Sequence, residues 1–315
     1  MRIDIHTHTY FQDFADYLSG RNEFPNVTVK DGQVITNCSP AFSIASPPGH
    51  REIETKLAEM DRMGIDFSVL SHGIPGPELL GGPEADDWAI RINDFLAGVV
   101  ELYPDKFVAW GSLGFGDAAR TIAEAERCVE QLGFKGFQIF SNNQGIPLDA
   151  PQFIPVYRRI ASLGVPLNMH PTSPLNTTGF DGALMPGMGF IYDTSLATAR
   201  LIQTGIFDDE PGFDLIVPHV GGVLPYLAGR VRVSIKGGPP RPLSDYFDRF
   251  YVDTVAHDDD ALDYCYRVMG AERMLLGTAL PFGDGRHIGM VERLDCTKEE
   301  REAIYHRNAE RLLGL

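Results

Sequence analysis

Basic residues are scarce in this chain. There are 27 lysines and arginines against 43 aspartates and glutamates, a formal net charge of −16. Phosphate backbones and anionic lipid headgroups need a basic face, and no basic block is present, so neither nucleic acid nor a membrane is an expected partner. The four cysteines, Cys38, Cys128, Cys265 and Cys296, form no CxxC pair. That excludes a zinc knuckle and argues against a disulfide scaffold, and it points to reduced thiols in a cytoplasmic protein. No apolar run approaches the length needed to span a bilayer, and the opening Met1-Arg2-Ile3-Asp4 shows no apolar signal core. No GxGxxG follows the first strand candidate, which disfavours an open dinucleotide-binding sheet, the runner-up architecture.

What is present is a regular alternation. Eight short runs rich in β-branched and aromatic residues read as strands: 2–5, 66–71, 106–113, 134–140, 165–169, 214–218, 249–255 and 274–278. Amphipathic stretches lie between them, at 51–63, 86–103, 118–132, 151–163, 194–205, 258–269 and 298–313. Three of these stop at a glycine, Gly64, Gly133 or Gly164. The pattern predicts an α/β protein, a single (β/α)8 TIM barrel over residues 1–315. Two segments exceed the plain barrel. Residues 9–50 contain Asp31-Gly32 between alternating runs, a hairpin signal, and read as a small β insertion over the barrel mouth. Residues 171–193, rich in glycine and large apolar side chains, read as a lid or an oligomer contact.

Catalytic groups of such barrels sit at the C-terminal ends of the strands. His6 and His8 close the first strand, and residues two apart in an extended chain point the same way, so both imidazoles can reach one metal ion. His170 ends the fifth strand and His219 the sixth. One histidine in such a place is usually structural, but four at one end of three strands predict a metal site. His72 after the second strand and His257 after the seventh are candidate substrate contacts, with a solvated loop position as the alternative for each. Asp253, inside the seventh strand, is a candidate for orienting a histidine. Arg230 lies eleven residues past His219, where an arginine can recognise a carboxylate or simply face solvent.

The stretches RIDIHTH, EMDRMGID, ERCVEQLGFKGFQI, MHP, VPHVGGVLPYLAGRV, RFYVDT, RMLLGTALPF and HRNAERLLGL occur in one order along nearly the whole chain. In these the chain resembles the amidohydrolase superfamily, in the branch of the 2-amino-3-carboxymuconate-6-semialdehyde decarboxylases and their relatives. The resemblance implies a divalent metal, zinc first and manganese second, held by His6, His8 and His170, with His219 handling protons. It also implies that Arg230 meets a substrate carboxylate across a homodimer or larger homo-oligomer. The implied activity is decarboxylation of a small unsaturated or aromatic carboxylic acid. A hydrolase of an amide, lactone or ring-cleavage product is the alternative, and a non-catalytic metabolite-binding barrel the second. The pattern is broken twice. Ala279 stands where the family carries an aspartate, which predicts a low-activity Asp-to-Ala form; the intact remainder favours a deliberate inactivation over a natural variant. The stretch SPAFSIASPPG, residues 39–49 upstream of EMD, also lacks the decarboxylase's arginine, which leaves the substrate open.

Overall fold

A computed structural model describes residues 1–47, 49–180, 182–209, 211–234 and 237–315. Eight parallel strands form its centre. They are Ile3–Thr9, Phe67–His72, a third in two pieces (Phe107–Ala109 and Gly111–Ser112), Phe137–Phe140, Leu167–His170, Leu215–Val217, Phe250–Asp253 and Met274–Leu275. Each pairs with the next in parallel register. The eighth returns to the first through Ile5 N–H to Leu276 O at 2.9 Å and Ala279 N–H to His6 O at 2.8 Å, so no edge is left open. Trp110 bridges the gap in the third strand, donating its backbone N–H to Leu70 O at 2.8 Å and its indole N–H to Ile5 O at 3.0 Å.

The strand faces explain where the polar groups go. Ile3, Ile5, Val69, Trp110, Ile216, Tyr251 and Leu275 share one buried cluster, contributed by six strands. By simple alternation His6 and His8 would then point away from it. The pairing register shifts between Asp4 and Thr7, however, and such an irregularity re-aims the side chains that follow. His6 and His8 accordingly line the cavity above this cluster.

The helices cover the strands. Ile53–Met63 and Ile154–Leu163 end at Gly64 and Gly164, both left-handed at φ 66° and 72°. The insertion holds a three-stranded antiparallel sheet, Asn26–Lys30, Gln33–Ser39 and Phe42–Ala45. Asp31 and Gly32 make its first turn at φ 52° and 77°, the positive values that a two-residue hairpin loop demands. Two eight-residue helices lie outside the expected stretches: Gln12–Ser19 within the insertion, and Arg286–Arg293 after the eighth strand. Both are only eight residues long, too short for periodicity to separate them from loop. The C-terminal part of the 171–193 segment, residue 181 of which lies outside the described residues, is also helical: a π turn at Met185–Gly189 runs directly into Phe190–Gln203.

Candidate active site

Three imidazoles meet at the C-terminal mouth of the barrel. One ring nitrogen from each of His6, His8 and His170 lies within 4.8 Å of the others, and all three residues are buried. Nε2 of His6 is 3.1 Å from Nε2 of His8. The opposite nitrogens settle the tautomers. Nδ1 of His170 is 2.7 Å from the Pro171 carbonyl, which can only accept. Nδ1 of His6 is 2.6 Å from Oδ2 of Asp253. Nδ1 of His8 is 2.9 Å from Ser71 Oγ, whose own hydrogen goes to Thr7 O at 2.8 Å. Each Nδ1 is therefore the protonated nitrogen, and each Nε2 lone pair is free toward the common centre. This is the outer-sphere arrangement that orients metal-binding histidines. Burial pushes His8 and His170 well below the ordinary imidazole range, with neighbouring imidazoles adding to it. Both stay neutral, as a cation requires.

Asp253 is the pivot of this layer. Its Oδ1 accepts from Val220 N at 3.2 Å and Val255 N at 3.0 Å while Oδ2 holds His6. Burial raises its carboxyl, but the hydrogen bond and charge of His6 outweigh that, and it sits at about 2.

His219 completes the floor from a strained turn. His219, Val220, Gly221 and Gly222 all have positive φ, of 56°, 52°, 78° and 63°. Such runs persist only where the surroundings enforce them, and they concentrate at functional sites. Here a Cβ on Gly222 would lie 2.3 Å from Ser195 Oγ, and Ser195 Oγ takes Val223 N at 3.0 Å, so the turn is pinned. The ring of His219 lies 5.4 Å from that of His6 and 6.3 Å from that of His170. Its Nδ1 has no protein partner, and burial pushes its pKa down to about 4.

Above these rings is a cavity of about 590 Å³, within the size range of small-molecule sites. Its walls are apolar, with Ile74, Val255 and Phe282 from the barrel loops and Ile44 from the insertion. Ala183, Pro186 and Phe190 of the 171–193 segment also line it. Among the described residues no lysine or arginine lines it. Ala279 does, from a left-handed backbone at φ 57°.

The other expected contacts divide. His257 lines the cavity. His72 does not: Ser71 faces His8, so the next residue of the strand faces the other way, where His72 packs against Tyr10 and Phe14 at 4.5 and 5.4 Å. Arg230 is exposed and does not reach the cavity of its own chain. Asp284 is ion-paired with Arg286 at 2.7 Å on the surface and supplies no carboxylate to the floor. His287 lines the cavity and escaped the sequence reading, because it sits on an unrecognised helix rather than at a strand end.

The amidohydrolase family model matches residues 3–315. A gamma-resorcylate decarboxylase of Polaromonas sp. is 32% identical over 83% of this chain and 87% of its own length. The 2-amino-3-carboxymuconate-6-semialdehyde decarboxylase of Dictyostelium discoideum is 28% identical over all of this chain and 92% of its own. The crystal structure of a 5-carboxyvanillate decarboxylase from Novosphingobium aromaticivorans, complexed with manganese and 4-hydroxy-3-methoxy-5-nitrobenzoic acid, superposes with a TM-score of 0.83 at 26% identity, covering 100% of this chain and 96% of that one.

Proposed function

Because the chain belongs to the amidohydrolase family, we propose that it is a metal-dependent decarboxylase of an aromatic carboxylic acid. The observation that carries this is the set of three Nδ1-tethered imidazoles at the floor of an apolar cavity. Three imidazole nitrogen donors with room beside them suit a catalytic zinc ion. Manganese, bound in the carboxyvanillate decarboxylase structure, is the alternative. When bound, the cation would supply positive charge that anchors the acid's oxygens.

The chain's own groups do the rest. Phe190 and Phe282 line the space in which a flat ring would sit. His219, neutral at rest, takes a proton from solvent and delivers it to the ring carbon that bears the carboxylate. A C–H bond forms there. The bond to the carboxyl carbon then breaks, its electron pair restores the aromatic ring, and carbon dioxide leaves. Hydrolysis with the same imidazoles is the second reading, but the two phenylalanines of the lining favour a planar acid over an aliphatic amide or lactone. The left-handed backbone at position 279 suits aspartate or asparagine better than alanine, which supports a carboxylate as its fitting occupant and a low turnover for the chain as it stands.

Assembly as a homodimer or larger is part of the proposal. Leu184, Met188, Tyr192 and Leu196 stand exposed at four-residue spacing beside the lid, and Tyr226 is exposed four residues before Arg230. Covering these side chains with a second copy would remove apolar surface from water. A cytoplasmic location fits the four free cysteines. The test is carbon dioxide release from a panel of aromatic acids by the metal-loaded protein and by its His219→Ala variant. Release that depends on both metal and His219 supports the reading; release unaffected by either overturns it.

A further inference from the structure

The cavity contains a histidine that the reaction above does not use. His287 is 1% exposed and lines the cavity, yet neither of its ring nitrogens has a hydrogen-bond partner in the protein. Buried polar groups are nearly always paired, so an orphaned imidazole facing a ligand-sized space marks a place where a ligand makes the bond. It is separate from the metal-binding set, which among the described residues comprises His6, His8 and His170.

The loop that carries it is built to bring it back. Phe282 N and Gly283 N both donate to Ala279 O, at 2.8 and 3.0 Å. A Cβ on Gly283 would lie 1.8 Å from Thr278 O and 3.4 Å from His287 Cε1, so only glycine lets the loop close there. The imidazole therefore stands against the same backbone that presents the Ala279 methyl. His257, whose ring lies 5.6 Å away, is exposed and leaves both His287 nitrogens unpaired. Burial pushes His287 down to about 4, so it is neutral and offers one donor and one acceptor. Whichever nitrogen faces the cavity, a hydroxyl can meet it, because a hydroxyl both donates and accepts.

We propose that His287 is a specificity residue that hydrogen-bonds a ring hydroxyl of the bound aromatic acid from the side where Ala279 offers only a methyl. The inference rests on the aromatic-acid reading above. The test is calorimetric titration of the zinc-loaded full chain with benzoate and with 2-, 3- and 4-hydroxybenzoate, in the parent, His287→Leu and His287→Gln proteins. In the parent the best hydroxybenzoate should bind about tenfold tighter than benzoate, the worth of one neutral hydrogen bond. His287→Leu should bind benzoate as the parent does and lose that preference, and His287→Gln should keep most of it. The ring nitrogen resonances of His287 in 15N-histidine-labelled protein should move with that hydroxybenzoate and not with benzoate, a readout that needs no variant to fold. If His287→Leu keeps the full preference, or the His287 resonances ignore the hydroxyl, this proposal is overturned while the aromatic-acid reading stands. If the parent binds none of the four acids, both fall.

Discussion

Replacing Asp253 by asparagine is an isosteric change with a large expected consequence. The carboxylate has three N–H groups to satisfy: Val220 N and Val255 N on Oδ1, and His6 Nδ1 on Oδ2. Asparagine has one acceptor oxygen. If that oxygen stays with the two backbone donors, the amide NH₂ faces His6 and drives its proton to Nε2, the nitrogen that should face the cation. If it turns toward His6, the NH₂ faces two buried N–H groups, at a cost of about 1–3 kcal/mol for each stranded group. The first orientation leaves fewer donors stranded and should prevail. Loss of a group that orients a metal-binding histidine typically weakens metal affinity by about 10–100-fold, or about 1.4–2.8 kcal/mol. The assay is competition for zinc against a fluorescent chelator, with circular dichroism to establish that the variant folds. Histidine 15N spectra should show His6 changing from the Nδ1–H to the Nε2–H tautomer. Zinc affinity within twofold of the parent in a folded Asp253→Asn protein would refute the reasoning.

Other outcomes follow from the same geometry. Ala279→Asp should raise turnover by at least about a hundredfold, the scale of a positioned acid–base group, and unchanged turnover on every acid tested would show that the chain works without that carboxylate. Burial pushes Glu78 from 4.5 to about 8. Between those values the folded chain holds a proton that the unfolded chain has released, so stability contributed by this group falls as pH rises through the window. Glu78→Gln should flatten the decline in unfolding free energy between pH 5 and 8, and an unaltered slope would remove Glu78 as its source. Met188→Glu with Tyr192→Glu should shift sedimentation of an oligomer toward monomer; a parent that already sediments as a monomer would dismiss the proposed covered face.

Much of this was readable from residue order. The strand runs and the histidines at their ends rest on short-range rules: two-residue alternation, glycine stops, and the reach of one βα unit. Asp253 was visible as a buried acid in a strand. What escaped depends on contacts distant in sequence or on local strain. His72 falls at a strand end like His170, but its neighbour Ser71 takes the inward position beside His8, and only the pairing register decides which of two adjacent residues does. His287 reaches the cavity because Gly283 folds the chain back onto Thr278, a close approach that no periodicity encodes. The four-residue left-handed turn that projects His219 is likewise fixed by Ser195, twenty-four residues earlier in the chain.

In the proposed reaction a proton replaces a carboxylate on an aromatic carbon within this cavity. The most direct measurement is turnover of the zinc-loaded Ala279→Asp protein with hydroxybenzoic acids in D₂O, followed by proton and carbon NMR of the product. The account predicts one deuterium on the carbon that lost the carboxyl group, carbon dioxide in equal amount, and loss of both in His219→Ala. A product that keeps its carboxyl group, with an amide or lactone cleaved instead, would contradict it.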